Sequence, residues 1–388
     1  MDPDLANWVA SLGISIKRVE PLRVEASHRH FYRIRMADAF QRSNRGRDAL
    51  APGDDARFGR GQLERGRPAL DWAQTAVPLR DARPAEDVSR RFAPRRAGAG
   101  TSKHSSLSAV VMASPPELER NDAFVAMQCL FSGARLPVPE IIAMDAESGY
   151  FLLSDLGERH LEEAYGGPDE RRALELAIAN LVRIQAVEAQ AVAPYEESRL
   201  RDELGIFSEW FLGSWLGETP DPGARSAFEA LIDNALGQPQ CLIHRDYHCR
   251  NLLLDGDGRL GLVDFQDALI GPATYDLACL LWDCYHTFEE GTLRHWQERY
   301  RVQSRFDFTT EALSRALDLT GLQRQFKAVG IFARLWLRDG KASHLGHIAP
   351  VLAAMRRIVG GYAETRHLSG WLQRLEGRAA AALKASAP

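Results

Sequence analysis

Cysteine is scarce in this chain: Cys129, Cys241, Cys249, Cys279 and Cys284 are the only five in 388 residues. Their odd number and lack of close paired spacing exclude a zinc site or a disulfide framework, so they read as reduced, mostly packing residues. Cys249 has two readings, a reactive thiol or a neutral filler. No uninterrupted apolar stretch approaches the ~18 residues needed to span a bilayer. The opening MDPDLANWVASLG lacks the basic start and apolar core of a secretory signal, which predicts a cytoplasmic location. A net charge of -4 leaves no global electrostatic case for binding nucleic acid or a membrane. No internal repeat is present. What remains is 45% hydrophobic and 26% charged, ordinary for a soluble globular protein, in a chain longer than one core, so two lobes are expected.

The segment HRDYHCRN, residues 244 to 251, is followed by LVDFQDALIGPATYDLA from Leu262. His244, Asp246, Asn251 and Asp264 thus fall at the spacing a phosphoryl-transfer enzyme uses to position a hydroxyl and hold magnesium. Transfer of a γ-phosphoryl group is mostly positioning and charge neutralisation. One carboxylate must orient the acceptor, and oxygen ligands must hold the metal against the phosphates. Asp246 is therefore the candidate base, and Asn251 and Asp264 are the candidate metal and nucleotide ligands. Local patterning agrees. Cys241 to Ile243 and Leu252 to Leu254 are short apolar runs flanking the motif, and Asp255-Gly256-Asp257-Gly258 separates the second from Leu260 to Val263. That is a hairpin signal, and it would return Asp264 beside Asn251. His244 reads as a brace for the loop backbone rather than a proton carrier.

Residues 14 to 36 alternate like two strands of a hairpin. From about Ala37 to Lys103 there are 13 arginines against nine acidic residues and no sustained apolar periodicity, which predicts a disordered or loosely structured insertion. A strand resumes near Ser106. Ser114-Pro115-Pro116-Glu117 then predicts a capped helix running to about Phe131. Pro137 to Leu153 reads as a second strand pair turning at Glu147-Ser148-Gly149. Beyond Gly157, Leu174, Ala177, Ile178, Leu181 and Val182 share one helical face, an ordinary core stripe. The expected class is α+β: a β-rich N-terminal nucleotide-binding lobe over 1–157, a helical C-terminal lobe over 158–388, and nucleotide in the cleft.

With these residues in view, the chain resembles the aminoglycoside phosphotransferase-like kinases, a two-lobed protein-kinase-like fold. More closely, it is similar to the bacterial anomeric N-acetylmuramate/N-acetylglucosamine kinases of cell-wall recycling. The closer likeness rests on HRDYHCRN, VDFQDALIGPATYDL, LGIFSEWFLGSWLG from Leu204, FKAVGIFARLWLRDGK from Phe326, and EASHRHFYRI near the start. It implies that ATP, with Mg²⁺, phosphorylates the C1 hydroxyl of a small-molecule amino sugar, with no obligate protein partner. It also implies that Asp246 is the catalytic Asp, that Asn251 and Asp264 ligate magnesium, and that Ser27 and Arg29 lie in the loop over the phosphates.

Three departures accompany the likeness. There is no Gly-rich phosphate loop of the protein-kinase kind, and Val110-Val111-Met112-Ala113 stands where a phosphate-binding Lys is expected. The insertion interrupts the N-terminal lobe. Trp282 replaces an Arg of the family pattern. For the acceptor, Glu203, Glu209 and Trp210 lie in a segment the family uses near its sugar site; the alternatives are a solvated Glu209 and a core Trp210. Arg334 and Arg338, four apart on a helix, are candidates for the lactyl carboxylate of N-acetylmuramate, or else pair with acids such as Asp339. Asp276 reads as a support of the catalytic loop. Two competing functions remain at this stage: an aminoglycoside or other small-molecule kinase, and a nucleotide-binding regulator without turnover.

Overall fold

The computed structural model describes residues 1–22, 28–37 and 108–386. Most of the expected insertion, and Ser27 with it, lies outside the described residues. The chain divides into two compact units, Met1–Asp122 with Glu140–Asp155, and Ala123–Pro139 with Leu156–Pro388.

The first unit is built on a five-stranded antiparallel sheet. Its strands β1 (Ile16–Pro21), β2 (His30–Met36), β3 (Ser108–Ala113), β4 (Ile141–Asp145) and β5 (Tyr150–Ser154) lie in the order β1-β2-β3-β5-β4. The hairpins expected at 14 to 36 and 137 to 153 are both present. Alternation in β2 and β3 sends Ile34 and Val111 to one face, where they join Leu152 and the helix Pro3–Ser11 through Leu5 and Val9. That helix starts with Asp2 accepting the Asp4 N–H and Pro3 in its first turn. Arg35 of β2 pairs with Ser108 of β3, so the two ends of the undescribed segment are neighbours in the ladder.

The helix expected from Ser114 begins later, at Asn121, and runs to Gly133. The prolines fold residues 115 to 119 into a turn closed on the Pro115 carbonyl. Asn121 reaches back to the Ser114 carbonyl through its Nδ2 at 2.8 Å, which ties that turn to the helix start. From Ala123 onward this helix groups with the second unit. There, Phe124 stacks on Phe265 and Phe131 meets it at a tilt, with centroids 5.5 and 5.6 Å apart.

The second unit is mainly helical. It carries the expected helix Glu170–Gln185, with Leu174, Ala177, Ile178 and Leu181 buried. It also holds β6 (Arg159–His160), β7 (Gln240–Ile243), β8 (Leu252–Leu254), β9 (Leu260–Leu262) and β10 (Leu269–Pro272). Strands β8 and β9 form the expected hairpin, whereas β7 pairs with β10. The helix Thr310–Asp339 runs through the unit. Against it packs the π-helical stretch Phe207–Leu216, close enough that a Cβ at Gly330 would stand 2.6 Å from the Ile206 carbonyl carbon, so only glycine fits that crossing.

Candidate active site

Past β7 the chain leaves the sheet, and its backbone N–H groups need partners. Two buried carboxylates supply them. Asp276, in the first turn of the helix Tyr275–Leu281, accepts from the N–H of His244 at 2.6 Å and of Arg245 at 2.9 Å. Asp283, beyond the end of that helix, accepts from the N–H of Cys249 at 3.0 Å and of Tyr285 at 2.9 Å. Both ends of the catalytic loop are thereby clamped. The bend between them is strained, since Arg245 has φ 76 and Asp264, on the other side of the hairpin, has φ 66. Such left-handed conformations cost a non-glycine residue about 1–3 kcal/mol and persist only where the surroundings impose them.

The hairpin brings Asp264 back beside Asn251. The N–H of Val263 donates to the Asn251 carbonyl at 3.1 Å. The Asn251 side chain donates through Nδ2 to the Asp246 carbonyl at 3.0 Å and to Asp264 Oδ2 at 3.3 Å. With its nitrogen turned to the loop, Asn251 keeps Oδ1 as an acceptor. Gln266 Nε2 donates to Asp264 Oδ1 at 2.8 Å.

Charge is distributed unevenly over this group. Burial by itself would raise the Asp246 carboxyl, but Arg245, Lys327, His248 and Arg324 outweigh it and hold Asp246 at about 2. Asp264 moves the other way, pushed up first by the protein around its carboxyl and then by the Asp246 charge, although the residue keeps an exposed edge. The Asp264 carboxylate beside the Asn251 amide oxygen offers hard oxygen donors of the kind that suit Mg²⁺. Among the described residues no three His, Cys, Asp or Glu side chains could hold a metal by themselves. His244 is fully buried against Phe131 and Tyr247, and burial brings it down to about 4. Enclosed in this way, the imidazole is neutral and packs against the two aromatic rings.

The remaining expected residues are spread over both units. In the first, Arg29 is buried, with Nε 3.1 Å from Ser114 Oγ and 3.4 Å from the Glu119 carboxylate. Met112, on the strand where the resemblance implies a phosphate-binding lysine, is fully buried in the core. Arg33 of β2 makes a two-point pair with Asp155, at 2.8 and 3.1 Å.

In the second unit, Glu209 is exposed and Trp210 half-buried on the π-helical stretch. Arg338 makes a two-point pair with Asp339 at 2.7 and 3.0 Å, and Arg334 is buried one turn earlier on the same helix. Trp282 is buried and donates through Nε1 to Asp318 Oδ1 at 3.0 Å, which ties its segment to the helix Thr310–Asp339.

Glu203 is buried and surrounded by donors. Lys327 Nζ stands at 2.8 Å, Arg245 Nη2 at 3.2 Å, Gln323 Nε2 at 3.5 Å and Arg199 Nε at 3.7 Å, and the Tyr195 hydroxyl also donates to it.

Sequence reasoning missed Asp283, Tyr195, Arg324 and Lys327. Asp283 lies in an unremarked loop and its role depends on a backbone N–H thirty-four residues away. Lys327 left one usable signal, a lone cation inside the apolar run FKAVGIF.

The fold and this constellation define a kinase. The chain belongs to the Phosphotransferase enzyme family, whose pattern it matches over residues 90–313. A Pseudomonas putida protein named N-acetylmuramate/N-acetylglucosamine kinase is 35% identical over 284 residues, covering 71% of this chain and 84% of its own length. A Neisseria meningitidis protein of the same name is 32% identical over 325 residues, covering 79% and 95%. Among solved structures, the macrolide 2'-phosphotransferase of Brachybacterium faecium aligns at 12% identity with a TM-score of 0.50, covering 90% of this chain and 97% of its own. At that identity it supports the fold alone.

Proposed function

We propose that this protein transfers the γ-phosphoryl group of ATP to the anomeric C1 hydroxyl of N-acetylmuramate, N-acetylglucosamine or both, giving the sugar 1-phosphate. The observation that carries this is the grouping of Asp246, Asn251 and Asp264 at one loop, in a chain whose relatives bear the sugar-kinase name. Asn251 Oδ1 and Asp264 would hold Mg²⁺, which when bound neutralises charge on the phosphates. Asp246, ionised at all ordinary pH values, orients the C1 hydroxyl and accepts its proton as the C1 oxygen bonds to the γ-phosphorus and the bond to the ADP oxygen breaks. An anomeric hydroxyl is more acidic than an ordinary alcohol and the transition state is loose, so a weak base suffices. Ser27 and Arg29 are the proposed phosphate contacts of the first unit. Glu209, Trp210, Arg334 and Arg338 are the proposed acceptor contacts of the second, Trp210 offering a face for the sugar ring and the arginines a partner for a lactyl carboxylate. A cytoplasmic setting follows from the substrates. Among the described residues no helix is long and apolar enough to cross a membrane.

A coupled ADP-release assay across N-acetylmuramate, N-acetylglucosamine, choline and kanamycin tests the reading. ADP release with one or both amino sugars, and a product that has lost its reducing end, is expected. Turnover confined to choline or kanamycin would replace it.

A further inference from the structure

The HRD arginine, Arg245, has no obvious task in the chemistry just described, yet it is buried and charged. A buried guanidinium without a counter-charge would cost several kcal/mol, so its partner matters. Its Nη2 meets Glu203 Oε1 at 3.2 Å, its Nη1 donates to the carbonyl of Asp267 at 3.2 Å, and its backbone N–H donates to Asp276. Asp267 lies three residues past Asp264. Arg245 therefore touches the loop that carries the base, the loop that carries the metal ligand, and a carboxylate delivered from the separate helix Glu197–Ile206. Glu203 is in turn fixed by Lys327 from the helix Thr310–Asp339, by Gln323 one turn earlier and by the Tyr195 hydroxyl.

We infer that Glu203 is a positioning residue: with Lys327 and Tyr195 it holds Arg245 so that Asp246 and Asp264 keep their working separation, and it does not touch the sugar. The inference rests on the kinase reading and refines it. Glu203 was expected at the acceptor, but it is buried at 6% exposure and its two oxygens already serve four cationic or amide groups and a hydroxyl, leaving no acceptor site for sugar hydroxyls. A built-in counter-ion also means that the loop needs no added charge to take its shape. Lys327 and Arg245 share the one carboxylate, so neutralising Glu203 would leave a buried and a half-buried cation without their common counter-charge and drive the arginine off its seat.

The test is a kinetic comparison of Glu203→Gln, Arg245→Lys and the double variant with wild type, on whichever acceptor wild type uses best. A wild type that prefers another hydroxyl would overturn the acceptor reading and leave these ratios interpretable. Expected for Glu203→Gln is a fall in kcat of ~10- to 100-fold with KM for the acceptor unchanged, the scale typical of residues that orient a reacting group from behind. The double variant should be no slower than Arg245→Lys, because Glu203 acts through Arg245. A raised acceptor KM with kcat retained would place Glu203 on the sugar and overturn the proposal, as would an unchanged kcat or purely additive losses. If Glu203→Gln does not fold, Tyr195→Phe takes its place, deleting one hydrogen bond to the carboxylate while leaving its ion pairs. It should lower kcat at constant acceptor KM, and an unaltered kcat would overturn the proposal.

Discussion

Asp276 accepts two consecutive backbone N–H groups, from His244 and Arg245, and is thereby the residue that sets where the catalytic loop begins. An amide at this position offers one oxygen and turns N–H groups toward the other donor. Asp276→Asn is expected to lower stability by about 1–3 kcal/mol, the cost of leaving a buried donor without its acceptor, and to reduce turnover with it. Thermal unfolding alongside kcat is the measurement. A variant with wild-type melting and wild-type kcat would show that the loop is held by other means.

Asp246→Asn preserves shape and removes the proton acceptor and its charge. Turnover should be largely lost while ATP binding survives, read by calorimetry beside the ADP-release assay. Retained wild-type turnover would sink the assignment of the base.

Asp264→Ala acts on the other half of the site. Asn251 Oδ1 would then face the metal without a carboxylate partner, so magnesium-dependent ATP affinity should collapse. Titrating ATP at saturating and absent Mg²⁺ gives the answer, and an affinity that still rises with Mg²⁺ as in wild type rules the role out.

The pH dependence of stability has a defined sign at Glu203. Burial would raise its carboxyl, but Lys327 and Arg245 outweigh it and hold it at about 2, against an ordinary 4.5. A folded value below the unfolded one means that stability is fully present above about pH 4.5 and is lost as pH falls toward about 2. The contribution is up to about 3 kcal/mol. Denaturant midpoints should drop more for wild type than for Glu203→Gln between about pH 6 and about pH 3. Parallel pH profiles would contradict this.

For the Arg-rich segment, deleting residues 40–100 should leave a folded, active enzyme. Its mixed charge and lack of apolar periodicity give little surface to bury. The strands on either side pair Arg35 with Ser108, so the residues left behind need only close a hairpin. A soluble, folded deletion variant that phosphorylates neither amino sugar would assign the segment a part in the site.

How far the sequence reaches differs between the site's parts. The motif HRDYHCRN and the turn Asp255-Gly256-Asp257-Gly258 are local signals. They were enough to place Asn251 beside Asp264, because a tight hairpin dictates which residues return to which. The strand pairs and the core helix Glu170–Gln185 were legible for the same reason, their periodicity being written in consecutive residues. The start of the helix at Asn121 was not, since the two prolines that resemble a helical first turn close a separate turn instead.

What the amino-acid sequence determined alone is thus the candidate constellation: Asp246, the proposed base, with Asn251 and Asp264 at fixed spacing, on strands whose alternation and turns are local. What only the tertiary structure decided is which charges support it. Glu203 lies 42 residues from Arg245 and Asp283 lies 34 from Cys249, and no period links such positions. Their partners are chosen by helix packing, where the close approach at Gly330 joins the π-helical stretch to the helix that bears Lys327. In a buried setting an unpaired charge or N–H is costly, so once packing brings these groups together their pairing follows.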